Sequence, residues 1–219
     1  MSLRENIEKM QKATLPGIPA ETLQVMMSAT EKLIRSGIAG RAKKAGDQAP
    51  NFSLPNTRGE NITLNSYLQK GPLVISFYRG AWCPYCNLEL KALDDAIERI
   101  RSSGAELVAI SPNTLEKSAQ FASENPFKFD LLCDVGNEVA RRFGLVFELA
   151  EELRPIYKQF GIDIPAHNGD ERYEIPIPAT YIVHTDGSIV HAFVEADYTK
   201  RMEPDEIVAI LKKMKGEDE

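Results

Sequence analysis

Residues Leu73 to Tyr78 (LVISFY) form an apolar run rich in strand formers, introduced by Gly71-Pro72. Length and punctuation mark it as a buried strand. It leads straight into Trp82-Cys83-Pro84-Tyr85-Cys86. Directly after, Leu88, Leu90, Leu93, Ile97 and Ile100 form a helical stripe ending near Ser103-Gly104. Two cysteines therefore fall at the junction of a buried strand and an amphipathic helix. A junction of this kind belongs in an α/β chain, and the rest of the sequence is consistent with one.

Glu106 to Ser111 (ELVAIS) reads as a second buried strand, and Thr114 to Glu124 as a helix with Thr114 at its N-cap. Asp130 to Asp134 reads as a short strand and Asn137 to Phe143 as a short helix. Residues 145–177 carry Pro155, Pro165 and Pro176 and read as an irregular insertion, with a helix near 149–160. Thr180 to Thr185 and Ser188 to Glu195 flank Asp186-Gly187, a strong hairpin signal. A last helix follows Glu203-Pro204. This order predicts a central mixed sheet with parallel early strands, an antiparallel final pair and helices on both faces. Residues 1–45 read as a helical N-terminal extension, a packing or dimerisation arm, and residues 46–215 as the main domain.

Composition narrows the function. The 219-residue chain carries a net charge of −6, which argues against nucleic acid as the main partner. No apolar run approaches the roughly 18 residues of a membrane span. The charged, periodic start MSLRENIEKMQKATL has no secretory apolar core, so a cytoplasmic location is expected. The chain has 3 cysteines, Cys83, Cys86 and Cys133. An odd, small count with one Cys-x-x-Cys suits redox work better than a disulfide scaffold. A zinc site would need Cys133, His167, His184 or His191 to complete it, and none has the spacing of a second pair, so no metal and no cofactor are expected.

The thiolate is the reactive form of cysteine. A helix that starts just after Cys83 places both sulfurs at its positive end, and Arg79 adds charge. Pro84 suits the first helical turn. Such a pair can supply an activated nucleophile and an adjacent resolving thiol. Trp82 reads as a shield for one face of the pair, and Cys133 as a buried strand residue.

At this point the sequence resembles the thioredoxin superfamily and, within it, the peroxiredoxin (alkyl hydroperoxide reductase/thiol-specific antioxidant) family. Gly46-Asp47-Gln48-Ala49-Pro50-Asn51-Phe52, Val108 to Ser111, Phe129 to Asp134, and Pro178 to Val183 with Asp186-Gly187 carry the likeness. The resemblance implies a thioredoxin-like fold. The peroxiredoxin signature, Phe-Tyr-Pro continuing as PxxxTxxC with a glutamate three residues on, fits without gaps on Phe77-Tyr78. Its proline then falls on Arg79, its threonine on Cys83, its peroxidatic cysteine on Cys86 and its glutamate on Glu89. The thioredoxin pattern Trp-Cys-x-x-Cys instead makes Cys83 the attacking sulfur, with Cys86 resolving. The arginine that peroxiredoxins place before their penultimate strand falls near Pro178, where a thioredoxin-like cis-proline is expected. The segment Glu195 to Arg201 reads as a rim of the site or a dimer contact.

Three functions follow from the resemblance. One is a thiol peroxidase in which Cys86 attacks a hydroperoxide, Cys83 closes the disulfide, and a thioredoxin-like or low-molecular-weight thiol reduces it. Another is a protein disulfide reductase or isomerase led by Cys83. The last is a non-enzymatic redox-sensing module. No nucleic-acid or membrane partner is expected, and a homodimer is admitted.

Overall fold

The computed structural model describes residues 1–216. At its centre the apolar run Leu73–Phe77 (β3 of the chain) is buried at every residue. Ahead of it lie α1 (Leu3–Thr14), α2 (Ala20–Arg35), α3 (Ile38–Arg41), the strands β1 (Ser53–Pro55) and β2 (Asn61–Thr63), and α4 (Leu64–Leu68). After it come α5 (Pro84–Ser102), β4 (Glu106–Ser111), α6 (Leu115–Glu124), β5 (Asp130–Cys133) and α7 (Glu138–Arg142). The chain continues through β6 (Val146–Glu148), α8 (Arg154–Gln159), α9 (Ile164–Asn168) and β7 (Glu174–Pro176). It closes with β8 (Ala179–Val183), β9 (Ile189–Val194) and α10 (Pro204–Met214).

Five strands form the main sheet in the order β5-β4-β3-β8-β9. β3 runs parallel to β4, and β4 to β5, while β8 is antiparallel to both β3 and β9. This is the mixed sheet expected from the strand–helix order. Because side chains alternate across a strand, β3 feeds two cores. Leu73, Ile75 and Phe77 point to one face, where Phe77 packs on Phe143 with ring centroids 4.8 Å apart. Val74 and Tyr78 point to the other, beneath Leu90, Leu93 and Ile97 of α5 and Ile207 and Leu211 of α10. The helical stripe read from the sequence is thus the face α5 lays on the sheet, except Leu88, which is half-buried and outside that core.

The first helices are joined to this body. The Ser2 side chain and Glu5 form a reciprocal capping box at the start of α1. The next two amides, Leu3 and Arg4, donate to the Glu203 carboxylate at 3.0 and 2.8 Å. α1 packs along α5, and α2 packs through Ala29, Val25 and Met26 on Leu149, Leu153 and Ile156. Residues 145–177 are more ordered than expected. The helix expected near 149–160 is present, as a 3-10 turn over Glu151–Leu153 that runs into α8; α9 follows it, and β6 pairs antiparallel with β7. Pro155 and Pro165 fall in the first turns of α8 and α9, so these prolines start helices and divide the segment.

Asp134, 1% exposed, orders the chain between β5 and α7. Its carboxylate accepts from the Val139 amide at 3.0 Å and the Ala140 amide at 2.8 Å. Asp134→Ala leaves both buried donors without their acceptor and is expected to cost about 1–3 kcal/mol. Equilibrium urea unfolding reads this directly, and a change below half that range would contradict it.

Candidate active site

The link from β3 to α5 is a tight turn. Gly80 has φ +149°, and a Cβ there would lie 2.4 Å from Trp82 Nε1, so only glycine lets the indole fold back here. The Cys83 amide donates to the Gly80 carbonyl at 3.1 Å. Asn113, fully buried on the loop after β4, accepts from the Ala81 amide at 2.9 Å, and Asn87 Nδ2 donates to the Ala81 carbonyl at 3.0 Å. Cys83 then stands at the N-cap of α5 with extended backbone (φ −91°, ψ 111°) and Pro84 follows in the first turn. Its sulfur thus lies at the positive end of a 19-residue helix.

Cys83 and Cys86 are both fully buried and unbridged. Each faces its own guanidinium. Arg79 Nη1 lies 3.9 Å from Cys83 Sγ, and Arg201 Nη2 lies 3.3 Å from Cys86 Sγ. Arg201 also donates through Nε to Glu89 Oε2 at 2.5 Å, with both side chains 2% exposed. Thr180 Oγ1 lies 3.5 Å from the other oxygen of Glu89. Arg201 is anchored further by the Tyr198 carbonyl and, at 2.8 Å, the Lys200 carbonyl. Arg79 is held by the Tyr157 hydroxyl at 2.5 Å and lies over the rings of Tyr198 and Trp82.

These surroundings separate the two thiols. Burial alone would raise Cys83; the hydrogen bond with Cys86, then the charges of Arg79 and Arg201, outweigh it and hold Cys83 below the ordinary thiol range. Cys86 is pushed well up by burial and by the hydrogen bond and charge of Cys83 beside it. Of the two sulfurs, Cys83 is thus the one at which the thiolate is favoured. Burial, with Cys86 adding to it, raises Glu89 to about 7 despite the Arg201 charge.

Of the residues singled out in the sequence, Cys83, Cys86, Arg79, Trp82 and Glu89 are brought together. Pro178 is buried one residue beyond the Phe77–Ala179 pair, at the same end of the sheet. The cis peptide expected there is absent, since all described peptide bonds are trans. Only Ile177 and Pro178 link β7 to β8, with no turn between them, and trans is the ordinary state of an X–Pro bond outside a tight turn. Cys133 is buried in β5, where burial raises its thiol. Among the described residues, no group of three or more His, Cys, Asp and Glu side chains could hold a metal ion. Arg201, Tyr157 and Tyr198 were not predicted. Arg201 lay in a segment noted only as a rim or contact, and no motif marks an isolated arginine or tyrosine.

Comparison with known proteins places this arrangement. The family model described as AhpC/TSA matches residues 45–192. The chain belongs to the AhpC/TSA family. This AhpC/TSA chain is 34% identical over 102 residues to peroxiredoxin Bcp of Escherichia coli K12, covering 47% of this chain and 65% of that protein. It therefore matches just under two thirds of the length of that relative. It is also 34% identical over 113 residues to a putative peroxiredoxin of Mycobacterium tuberculosis, covering 52% of this chain and 73% of the relative. The crystal structure of peroxidoxin BcpB from Mycobacterium tuberculosis superposes with a TM-score of 0.62 at 25% identity, over 78% of this chain and 97% of that one. The fold of this AhpC/TSA chain is thus the thioredoxin-like one. Among its described residues, no helix is long and apolar enough to cross a membrane.

Proposed function

We propose that this AhpC/TSA-family chain is a thiol peroxidase in which Cys83 attacks and Cys86 resolves. The observation that carries the reading is a pair of buried sulfurs, one helical turn apart, each against its own arginine, with the thiolate favoured at Cys83. This reverses the order expected from the peroxiredoxin signature. Position in a motif assigns Cys86; the hydrogen bond with Cys86 and the place at the start of α5 favour Cys83.

The Cys83 thiolate attacks the distal oxygen of a hydroperoxide ROOH, breaking the O–O bond and forming Cys83 sulfenic acid, and the displaced alkoxide takes up a proton to give ROH. The Cys86 thiol then attacks the sulfenic sulfur, expelling water and forming the Cys83–Cys86 disulfide. An external dithiol, thioredoxin-like or of low molecular weight, exchanges with it and restores both thiols. Such a cycle suits the cytoplasm, where dithiols are maintained. Residues 46–215 would form the catalytic unit and residues 1–45 its appended cover.

The test uses reduced full-length protein with hydrogen peroxide or an alkyl hydroperoxide and dithiothreitol. Hydroperoxide consumption and a mass-mapped Cys83–Cys86 disulfide are expected. Consumption no faster than that of a Cys83→Ser/Cys86→Ser double variant would sink the proposal. A second reading, a protein disulfide reductase, is favoured by the low thiol at the first cysteine of Trp-Cys-Pro-Tyr-Cys. Reduction of insulin disulfides without hydroperoxide turnover would select it.

A further inference from the structure

Arg79 is a buried cation, 3% exposed. Buried charges are ordinarily neutralised by an opposite one. Arg201, in the same site, has an acidic partner in Glu89 at 2.5 Å. Arg79 does not. Among the described residues, its hydrogen-bond partners are the Cys83 sulfur and the Tyr157 hydroxyl, and its Nε has none. No carboxylate of the described residues forms an ion pair with it.

Aromatic rings stand where a carboxylate would. The guanidinium carbon lies 4.4 Å from the ring centroid of Tyr198, 4.9 Å from that of Trp82 and 5.8 Å from that of Tyr157. The rings brace one another. Trp82 and Tyr157 meet edge to face at 5.7 Å, and Tyr198 meets Tyr85 likewise at 5.4 Å. Aromatic faces attract a cation through the ring quadrupole without cancelling its charge. A phenol hydroxyl accepts its N–H in the same neutral way.

We propose that Tyr157 and Tyr198 are positioning residues for Arg79, holding its guanidinium without neutralising it so that its charge is directed to the Cys83 sulfur. Tyr157 is carried by α8, within the segment 145–177, and Tyr198 by the segment after β9. The structure of both segments thereby acquires a shared task at the sulfur. The inference rests on the reading of Cys83 as the attacking sulfur. The other titratable or charged groups acting on Cys83 are Cys86 on α5 and Arg201, while Tyr85 on α5 also faces the pair. Arg201 is itself paired with Glu89.

The test measures the ionisation of Cys83 itself. Reduced full-length protein is alkylated with iodoacetamide across a pH series, and the Cys83 peptide is quantified by mass spectrometry. The wild-type midpoint is expected below that of a free thiol, about 8.5. Tyr157→Glu places a carboxylate against Arg79 and is expected to raise the midpoint by about one pH unit or more. Tyr198→Leu, which removes a ring face, is expected to raise it by a smaller amount, and Tyr198→Phe to leave it unchanged. Circular dichroism confirms that each variant is folded. If Tyr157→Glu does not fold, Tyr157→Phe, which removes only the hydroxyl, replaces it, with an upward shift expected. A folded Tyr157→Glu or Tyr157→Phe together with a folded Tyr198→Leu, all titrating as wild type, would overturn the proposal. The titration reads equally well in a protein that consumes no hydroperoxide, so its failure is distinct from failure of the peroxidase reading.

Discussion

Cys83→Ser is expected to lower hydroperoxide turnover by on the order of a thousandfold or more, because serine supplies no comparable nucleophile at neutral pH. Cys86→Ser should behave differently. The first oxidation remains, and with no thiol added the sulfenic acid on Cys83, lacking a neighbouring thiol to condense with, persists after one equivalent of hydroperoxide. A dimedone-type trap followed by peptide mapping then finds the adduct on Cys83. The opposite pattern, with Cys86 trapped in Cys83→Ser and a single turnover preserved there, restores the order implied by the peroxiredoxin signature. The pH dependence has a definite sign. Because Cys83 is held below the ordinary thiol range, the first step is already fast at neutral pH and slows as pH falls through the Cys83 midpoint.

The second large effect is on stability. Arg201→Ala leaves Glu89, 2% exposed, without its counter-ion, and strips a donor from the Tyr198 and Lys200 carbonyls. Breaking one side of a buried pair costs about 3–5 kcal/mol. The loss should depend on pH. Glu89 already holds its proton up to about 7, because burial outweighs Arg201. Without Arg201 the proton is held to still higher pH. A carboxyl whose folded value is raised stabilises the fold below its unfolded value and loses that contribution as pH rises through the folded value. The deficit of Arg201→Ala relative to wild type is therefore smallest at low pH and grows above neutrality. Denaturant unfolding at several pH values measures it. Adding Glu89→Leu to Arg201→Ala should recover part of the loss, since the uncompensated acid is gone. A pH-independent deficit, or no recovery, would argue that Glu89 is not the reason for it.

The central part of this architecture was legible because its signals are local. The run Leu73–Phe77 is too apolar and too short to be anything but an interior strand, and the stripe from Leu88 to Ile100 can only repeat as a helix. Thr114 as an N-cap needed one side chain and the Lys117 amide three residues on. The hairpin β1–β2 left no such trace, because three-residue strands carry no periodicity. The site was half legible for a related reason. Arg79 and Glu89 lie within a few residues of the sulfurs, so spacing reveals them. Arg201 meets Cys86 across 115 residues of chain, and Tyr157 meets Arg79 across 78. Contacts of that range are set by how segments fold back over the sheet, and no single sequence displays them. The cysteine order is a further case. A motif reports position, while the favoured thiolate depends on the hydrogen bond between the two sulfurs and on the charges folded around them.

Both sulfurs are fully buried; close by, Tyr85 packs on Tyr198, and Gln11 of α1 reaches the Tyr85 hydroxyl at 3.4 Å. An oxidant or reductant can meet them only when the protein around them opens, so access and chemistry are successive events with separate rates. A hydroperoxide as small as H2O2 needs a slight opening, whereas a protein dithiol must bring its own sulfur into line with the disulfide and needs a wide one. Oxidation and re-reduction would then be gated differently by the same burial. A graded series of thiols, from dithiothreitol to a folded thioredoxin, would reveal the gate as a rate that saturates with concentration at the frequency of opening.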